Sequence, residues 1–126
     1  MSKKILIIDD EPDLVAVLSF RLEAHGFGVV SALNGSTGLE KAKSDKPDLI
    51  LLDLMMPGMD GFQVAKRLKD DPNTAGIPII VFTAAVNPEL SQRVSEISAL
   101  DYITKPFEPK DLLEKVKKVL GGSRCE

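Results

Sequence analysis

Short, continuously apolar runs alternate along this chain with segments whose apolar residues recur at helical spacing. Ile5-Leu6-Ile7-Ile8 has no polar face, which predicts a strand buried on both sides. A helix follows from about Pro12, with Leu14, Leu18 and Leu22 on one face and Gly26 at its end. Val29-Val30-Ser31-Ala32 reads as a weaker second strand, and Asn34-Gly35-Ser36 turns into a short helix that stops before Pro47. Leu49-Ile50-Leu51-Leu52 is the third strand, ending at Asp53. The loop Met56-Pro57-Gly58-Met59 leads into a third helix, because Asp60 with Gln63 three residues on forms a capping-box pattern; Asp71-Pro72 ends it. Ile79-Ile80-Val81-Phe82 is the fourth strand, closed by Thr83, and Asn87-Pro88 opens a fourth helix carrying Leu90, Val94 and Ile97 on one face. Tyr102-Ile103 is a short fifth strand, broken by Lys105-Pro106. Glu108-Pro109 opens a fifth helix with Leu112, Leu113, Val116, Val119 and Leu120 turned inward, and Gly121-Gly122 ends it.

Five strand-helix units imply an α/β fold, a five-stranded parallel sheet with helices on both faces and right-handed crossovers. The strand order expected is the flavodoxin-like 2-1-3-4-5. The 126 residues make one domain, with a core at about 3–120 and a tail at 121–126.

Composition narrows the class. With 44% hydrophobic and 28% charged residues the chain is ordinary globular material, not a disordered one. No apolar run approaches the ~18 residues of a membrane span. Met1-Ser2-Lys3-Lys4 is followed by only four apolar residues before Asp9-Asp10-Glu11, too few for a signal peptide. The single Cys125 and single His25 exclude an internal disulfide, a cysteine zinc site and a histidine-rich metal site, and fit a reducing, cytoplasmic compartment. A net charge of −3 argues against direct nucleic-acid binding through a broad basic face.

Ligands of open α/β sheets bind beyond the carboxyl ends of the strands, at the switch point between strands 1 and 3. The strand-end residues are Asp9-Asp10, Asp53 and Thr83, with Lys105 after strand 5. Three converging carboxylates need a cation or a raised pKa. Magnesium suits them best, since it keeps several waters and takes one or two carboxylates plus a phosphate oxygen. A lysine supplies a point charge for a phosphate, a threonine hydroxyl can donate to it, and a carboxylate can itself be the nucleophile. Taken singly these residues are less informative. Asp9-Asp10-Glu11 reads as charge at a helix N-terminus, Thr83 as a strand-end threonine and Lys105 as a solvated loop lysine. His25 reads as a helix-end cation, and Met55, Met56 and Met59 as gap-filling apolar groups. A charge closing a buried apolar strand, as at Asp53, is costly without a partner. The constellation on successive strand ends is what favours a site.

In order along the chain stand Asp9-Asp10, then Leu51-Leu52-Asp53-Leu54-Met55-Met56-Pro57-Gly58-Met59-Asp60-Gly61, then Thr83-Ala84-Ala85, then Asp101-Tyr102-Ile103-Thr104-Lys105-Pro106-Phe107. Together they resemble the response regulator receiver domains of two-component signalling, over Lys3 to Leu120. The resemblance implies that Asp53 accepts phosphate from a histidine kinase or phosphotransfer protein. It implies that Asp10, Asp53 and the Met55 backbone carbonyl ligate Mg2+, with Asp9 acting mostly through water, and that Thr83 and Lys105 contact the phosphoryl group. Thr83 and Tyr102 would form the switch, and Lys105-Pro106 a cis peptide. The signal would leave through the surface of the fourth helix, fifth strand and fifth helix, to a downstream protein or a second receiver. Such a chain is a signalling module, not an enzyme beyond its own phosphorylation and slow self-dephosphorylation. One departure is Ser98, where the family often carries glycine four residues before the switch aromatic.

Two other classes share parts of this pattern. A haloacid dehalogenase-type phosphatase needs a second acid two residues after its nucleophile, but Asp53 is followed by Leu54 and Met55, and Asp9 by Asp10 and Glu11. A flavodoxin needs a hydroxyl- and glycine-rich loop after strand 1, where Asp9-Asp10-Glu11-Pro12 would repel a flavin phosphate.

Overall fold

The computed structural model describes residues 3–54, 61–83, 101–104 and 108–120. In chain order these form β1 (Lys4–Ile8), α1 (Pro12–Ala24), β2 (Gly28–Ala32), α2 (Gly35–Asp45), β3 (Leu49–Asp53), α3 (Gly61–Asp70), β4 (Ile79–Thr83), β5 (Asp101–Thr104) and a C-terminal helix (Pro109–Leu120). The strands make one parallel sheet in the order β2-β1-β3-β4-β5, as the alternation predicts. The helix expected from Asn87-Pro88, the loop at 55–60, Lys105-Pro106 and the tail at 121–126 lie outside the described residues.

The apolar runs of β1 and β3 are continuous because each feeds two cores. Leu6, Ile8, Ile50 and Leu52 pack with Ala42 of α2 and Val64, Ala65 and Leu68 of α3. Their neighbours Ile5, Ile7, Leu49 and Leu51 point the other way, against Val15, Leu18 and Leu22 of α1 and Leu112 and Val116 of the C-terminal helix. This alternation is the period-two geometry of a strand covered on both faces. β2, on the sheet's edge, is mostly half-buried, which is why its sequence signal is weaker. In α1 the buried stripe is Val15, Leu18 and Leu22, while Leu14 is half-buried at its border. The expected spacing of four is replaced by three and four, which follows the 3.6-residue turn more closely.

Caps and ties fix the remaining geometry. Asn34 Oδ1 accepts from the Thr37 N–H at 2.8 Å, so α2 begins where the turn residues place it. Across the amino end of the sheet, Lys4 donates its N–H to Asp48 Oδ2 at 2.8 Å, and Asp48 donates its N–H to the Lys4 carbonyl at 2.7 Å. That exchange sets the β1–β3 register, in which Ile5 faces Leu49 and Ile8 faces Leu52. A one-residue slip would turn every side chain of β3 to the other core. α3 stops at Asp70, ahead of Asp71-Pro72 as expected. The connection that follows folds on itself: the buried Thr74 donates its hydroxyl to the Leu68 carbonyl at 2.6 Å, and Asp71 pairs with Lys43 of α2 at 3.3 Å. Among the described residues no helix is long and apolar enough to cross a membrane.

Candidate functional site

The residues following Ile8 and Leu52 in their ladder are Asp9 and Asp53. Two neighbouring parallel strands therefore deliver carboxylates to the same level, at the carboxyl edge of the sheet. Asp9 is fully buried and Asp53 is 2% exposed, while Asp10 is half-buried. One oxygen from each of Asp9, Asp10 and Asp53 lies within 4.8 Å of the others. Hard oxygen donors with a net negative charge, gathered this closely, suit a divalent cation such as Mg2+.

Backbone contacts hold this edge in place. Asp9 donates its N–H to the Ala32 carbonyl at 3.1 Å, extending the β1–β2 pairing by one bond. Its Oδ1 accepts the Glu11 N–H at 2.9 Å, which turns the chain into α1. The Asp9 side chain thus both supports the turn into α1 and lies in the carboxylate cluster. Beyond Asp53, the Leu54 N–H donates to the Phe82 carbonyl at 3.1 Å, and the Gly61 N–H donates to the Leu54 carbonyl at 3.2 Å. β4 and α3 grip the backbone next to Asp53 from two sides.

The other expected site residues divide by where they fall. Thr83 ends β4, one residue past Phe82, the ladder partner of Asp53. Tyr102 lies on β5 opposite Val81 and is 37% exposed. Met55, Lys105 and Pro106 lie outside the described residues. His25 caps α1, with Nδ1 3.0 Å from the Arg21 carbonyl, away from the carboxylates in the fold's topology. Sequence reasoning assigned no structural part to Gly61. Asp60-Gly61 reads only as the start of a helix; the close approach of Gly61 to Asp53 is a tertiary fact.

The response regulator receiver domain family matches residues 5–117. This chain belongs to that family. Receiver domains bind Mg2+ at an acidic pocket, and Asp9, Asp10 and Asp53 form a cluster of that kind. Among curated proteins, the chain is 41% identical over 124 residues to the alkaline phosphatase synthesis transcriptional regulatory protein PhoP of Bacillus subtilis, covering 98% of this chain and 50% of that protein. It is 39% identical over 119 residues to protein PilH of Pseudomonas aeruginosa, covering 94% of this chain and 98% of that one. The chain therefore spans half of PhoP and nearly all of PilH. Among solved structures, the Vibrio cholerae chemotaxis protein CheY4 superposes with a TM-score of 0.90 at 30% identity, covering 94% of this receiver domain and 99% of that chain.

Proposed function

We propose that this receiver domain accepts a phosphoryl group on Asp53 and passes the signal on through a change of surface. The observation carrying the reading is the placement of Asp53. It is the last residue of the central, fully buried β3, with an oxygen within 4.8 Å of Asp9 and Asp10. The donor is a histidine kinase or a histidine phosphotransfer protein. An Asp53 carboxylate oxygen attacks the phosphorus, a P–O bond forms, the P–N bond to the donor imidazole breaks, and the imidazole nitrogen keeps that electron pair.

Asp10 and Asp53 would hold Mg2+ together with the Met55 backbone carbonyl, and Asp9 would act through water. The Asp9 oxygen already engaged by the Glu11 N–H supports that division. Mg2+ supplies charge neutralisation for the transferring phosphoryl group. Lys105 contributes a second positive charge and Thr83 a hydroxyl donor. Thr83 and Tyr102 then carry the state of Asp53 to the surface of the fourth expected helix, β5 and the C-terminal helix, where a downstream protein or a second receiver docks. The Lys105-Pro106 bond would be cis. Residues 3–120 form the receiver core, and 121–126 a tail. The chain works in the cytoplasm, as a signalling module and not as an enzyme on external substrates, and without touching nucleic acid itself.

The test is incubation with Mg2+ and acetyl phosphate, read by intact mass. One phosphate is expected on the wild type and none on Asp53→Asn. Incorporation into Asp53→Asn equal to the wild type removes the assignment.

A further inference from the structure

We infer that Gly61 is a positioning residue for Asp53, because α3 seats its first residue directly against the backbone that carries the acceptor carboxylate. This rests on the phosphoacceptor reading of Asp53. A Cβ at Gly61 would lie 2.4 Å from the Asp53 carbonyl oxygen, 2.4 Å from Leu54 Cα and 3.0 Å from the Asp53 carbonyl carbon. All three obstructing atoms are backbone, so no side-chain rotation relieves the contact. Something larger has to give.

Both sides of this contact are held in place. Behind Gly61, α3 is anchored by the fully buried Val64 and Ala65 and by Leu68. Opposite it, Asp53 is the end of its strand, and the next amide, Leu54 N–H, is tied to the Phe82 carbonyl of β4. Relief of the overlap has to come from the start of α3, from the Asp53–Leu54 backbone or from both, and the Gly61 N–H bond to the Leu54 carbonyl ties the two together. Displacing the Asp53 peptide re-aims its side chain relative to Asp9 and Asp10. In-line phosphoryl transfer is sensitive to such errors. Gly61 thereby sets where the nucleophile points without touching the reacting atoms.

Gly38 is the internal control. A Cβ there would lie 2.6 Å from Ile8 Cδ1, 2.8 Å from its Cγ1 and 3.1 Å from its Cγ2, a close contact made by side-chain atoms alone. The obstruction at Gly38 is side chain and not backbone, so Gly38→Ala is expected to cost packing around Ile8 and to disturb the carboxylates less than Gly61→Ala does.

The experiment measures the rate of phosphate incorporation from acetyl phosphate, and Mg2+ affinity by calorimetry. Wild type, Gly61→Ala and Gly38→Ala are compared at a temperature where circular dichroism shows all three folded. Gly61→Ala is expected to lose about tenfold or more in rate even at saturating Mg2+, with Gly38→Ala within roughly threefold of wild type although both melt lower. If Gly61→Ala does not fold in buffer, all three proteins are assayed in a stabilising osmolyte. A folded Gly61→Ala with wild-type rate and Mg2+ affinity overturns the inference. So does a Gly61→Ala that stays unfolded where Gly38→Ala folds, since Gly61 would then serve the fold alone. A wild type that takes no phosphate on Asp53 instead overturns the phosphoacceptor reading, and this inference falls with it.

Discussion

Asp9 and Asp53 each follow a member of the last β1–β3 pair, Ile8 and Leu52, and the two buried carboxylates bring oxygens within 4.8 Å of one another. Without a cation their repulsion opposes folding. Asp53→Asn is therefore expected to be more stable than the wild type in chelator, by on the order of 1 kcal/mol in urea unfolding. Mg2+ should reverse the order, since a ligand bound only to the native state adds about 2.7 kcal/mol at a hundredfold excess over its Kd. Equal Mg2+ stabilisation of both proteins would show that Asp53 is not a ligand.

Asp10 and Lys105 should separate by the sign of their charge. Asp10→Ala removes a carboxylate from the cluster and is expected to weaken Mg2+ by about tenfold or more, at 1.4 kcal/mol per decade. Lys105→Ala removes a positive charge from the proposed site, so Mg2+ affinity should stay equal or tighten while phosphorylation slows. Calorimetric titration of both variants decides it. Equal weakening by the two substitutions would dismantle the proposed roles.

Asp71 offers a pH test unrelated to the site. The Asn73 N–H donates to its carboxylate at 2.9 Å, and Lys43 of α2 lies 3.3 Å away. Its pKa is held below the ordinary 3.8, first by the Asn73 backbone hydrogen bond and then by Lys43. A lowered folded pKa means stability that is present above 3.8 and is lost as pH falls through the folded value. Asp71→Asn keeps an acceptor and loses the charge. It should melt slightly below the wild type at neutral pH, and the gap should close below the ordinary carboxylate range. A gap independent of pH would mean that the charge contributes nothing.

The sheet was legible because β1, β3 and β4 are apolar without interruption, which only a two-sided core explains. The carboxylates were legible because register, set by strand lengths, brings strand ends to one edge. Less was readable where tertiary approach decides. Val15 replaces Leu14 in the stripe of α1 because the C-terminal helix and sheet choose the angle at which α1 rolls. Nothing local marks Gly38 or Gly61 as places where a methyl would collide, since Ile8 and Asp53 arrive from distant sequence. Thr74 reads as an ordinary turn residue, yet it is buried and satisfied by Leu68 within its own connection.

The relay from Asp53 outward gives the last prediction. Thr83 stands one residue beyond Phe82, which pairs with Asp53, and β4 passes its register on to β5, where Tyr102 faces Val81. A phosphoryl group on Asp53 would offer the Thr83 hydroxyl a new acceptor. Tyr102, the only tyrosine, keeps 37% of its surface exposed and so has area left to bury. Burying an aromatic ring is worth on the order of 1.5–3 kcal/mol in full, and a fraction of that moves a two-state population severalfold. Tyr102 emission and ring-proton shifts should therefore change on phosphorylation. Thr83→Ala should still take up phosphate on Asp53 yet lose most of that change, because the hydroxyl proposed to couple the two residues is gone. An unchanged Tyr102 signal in the phosphorylated wild type, or a full response in Thr83→Ala, would mean that the signal leaves Asp53 by another path.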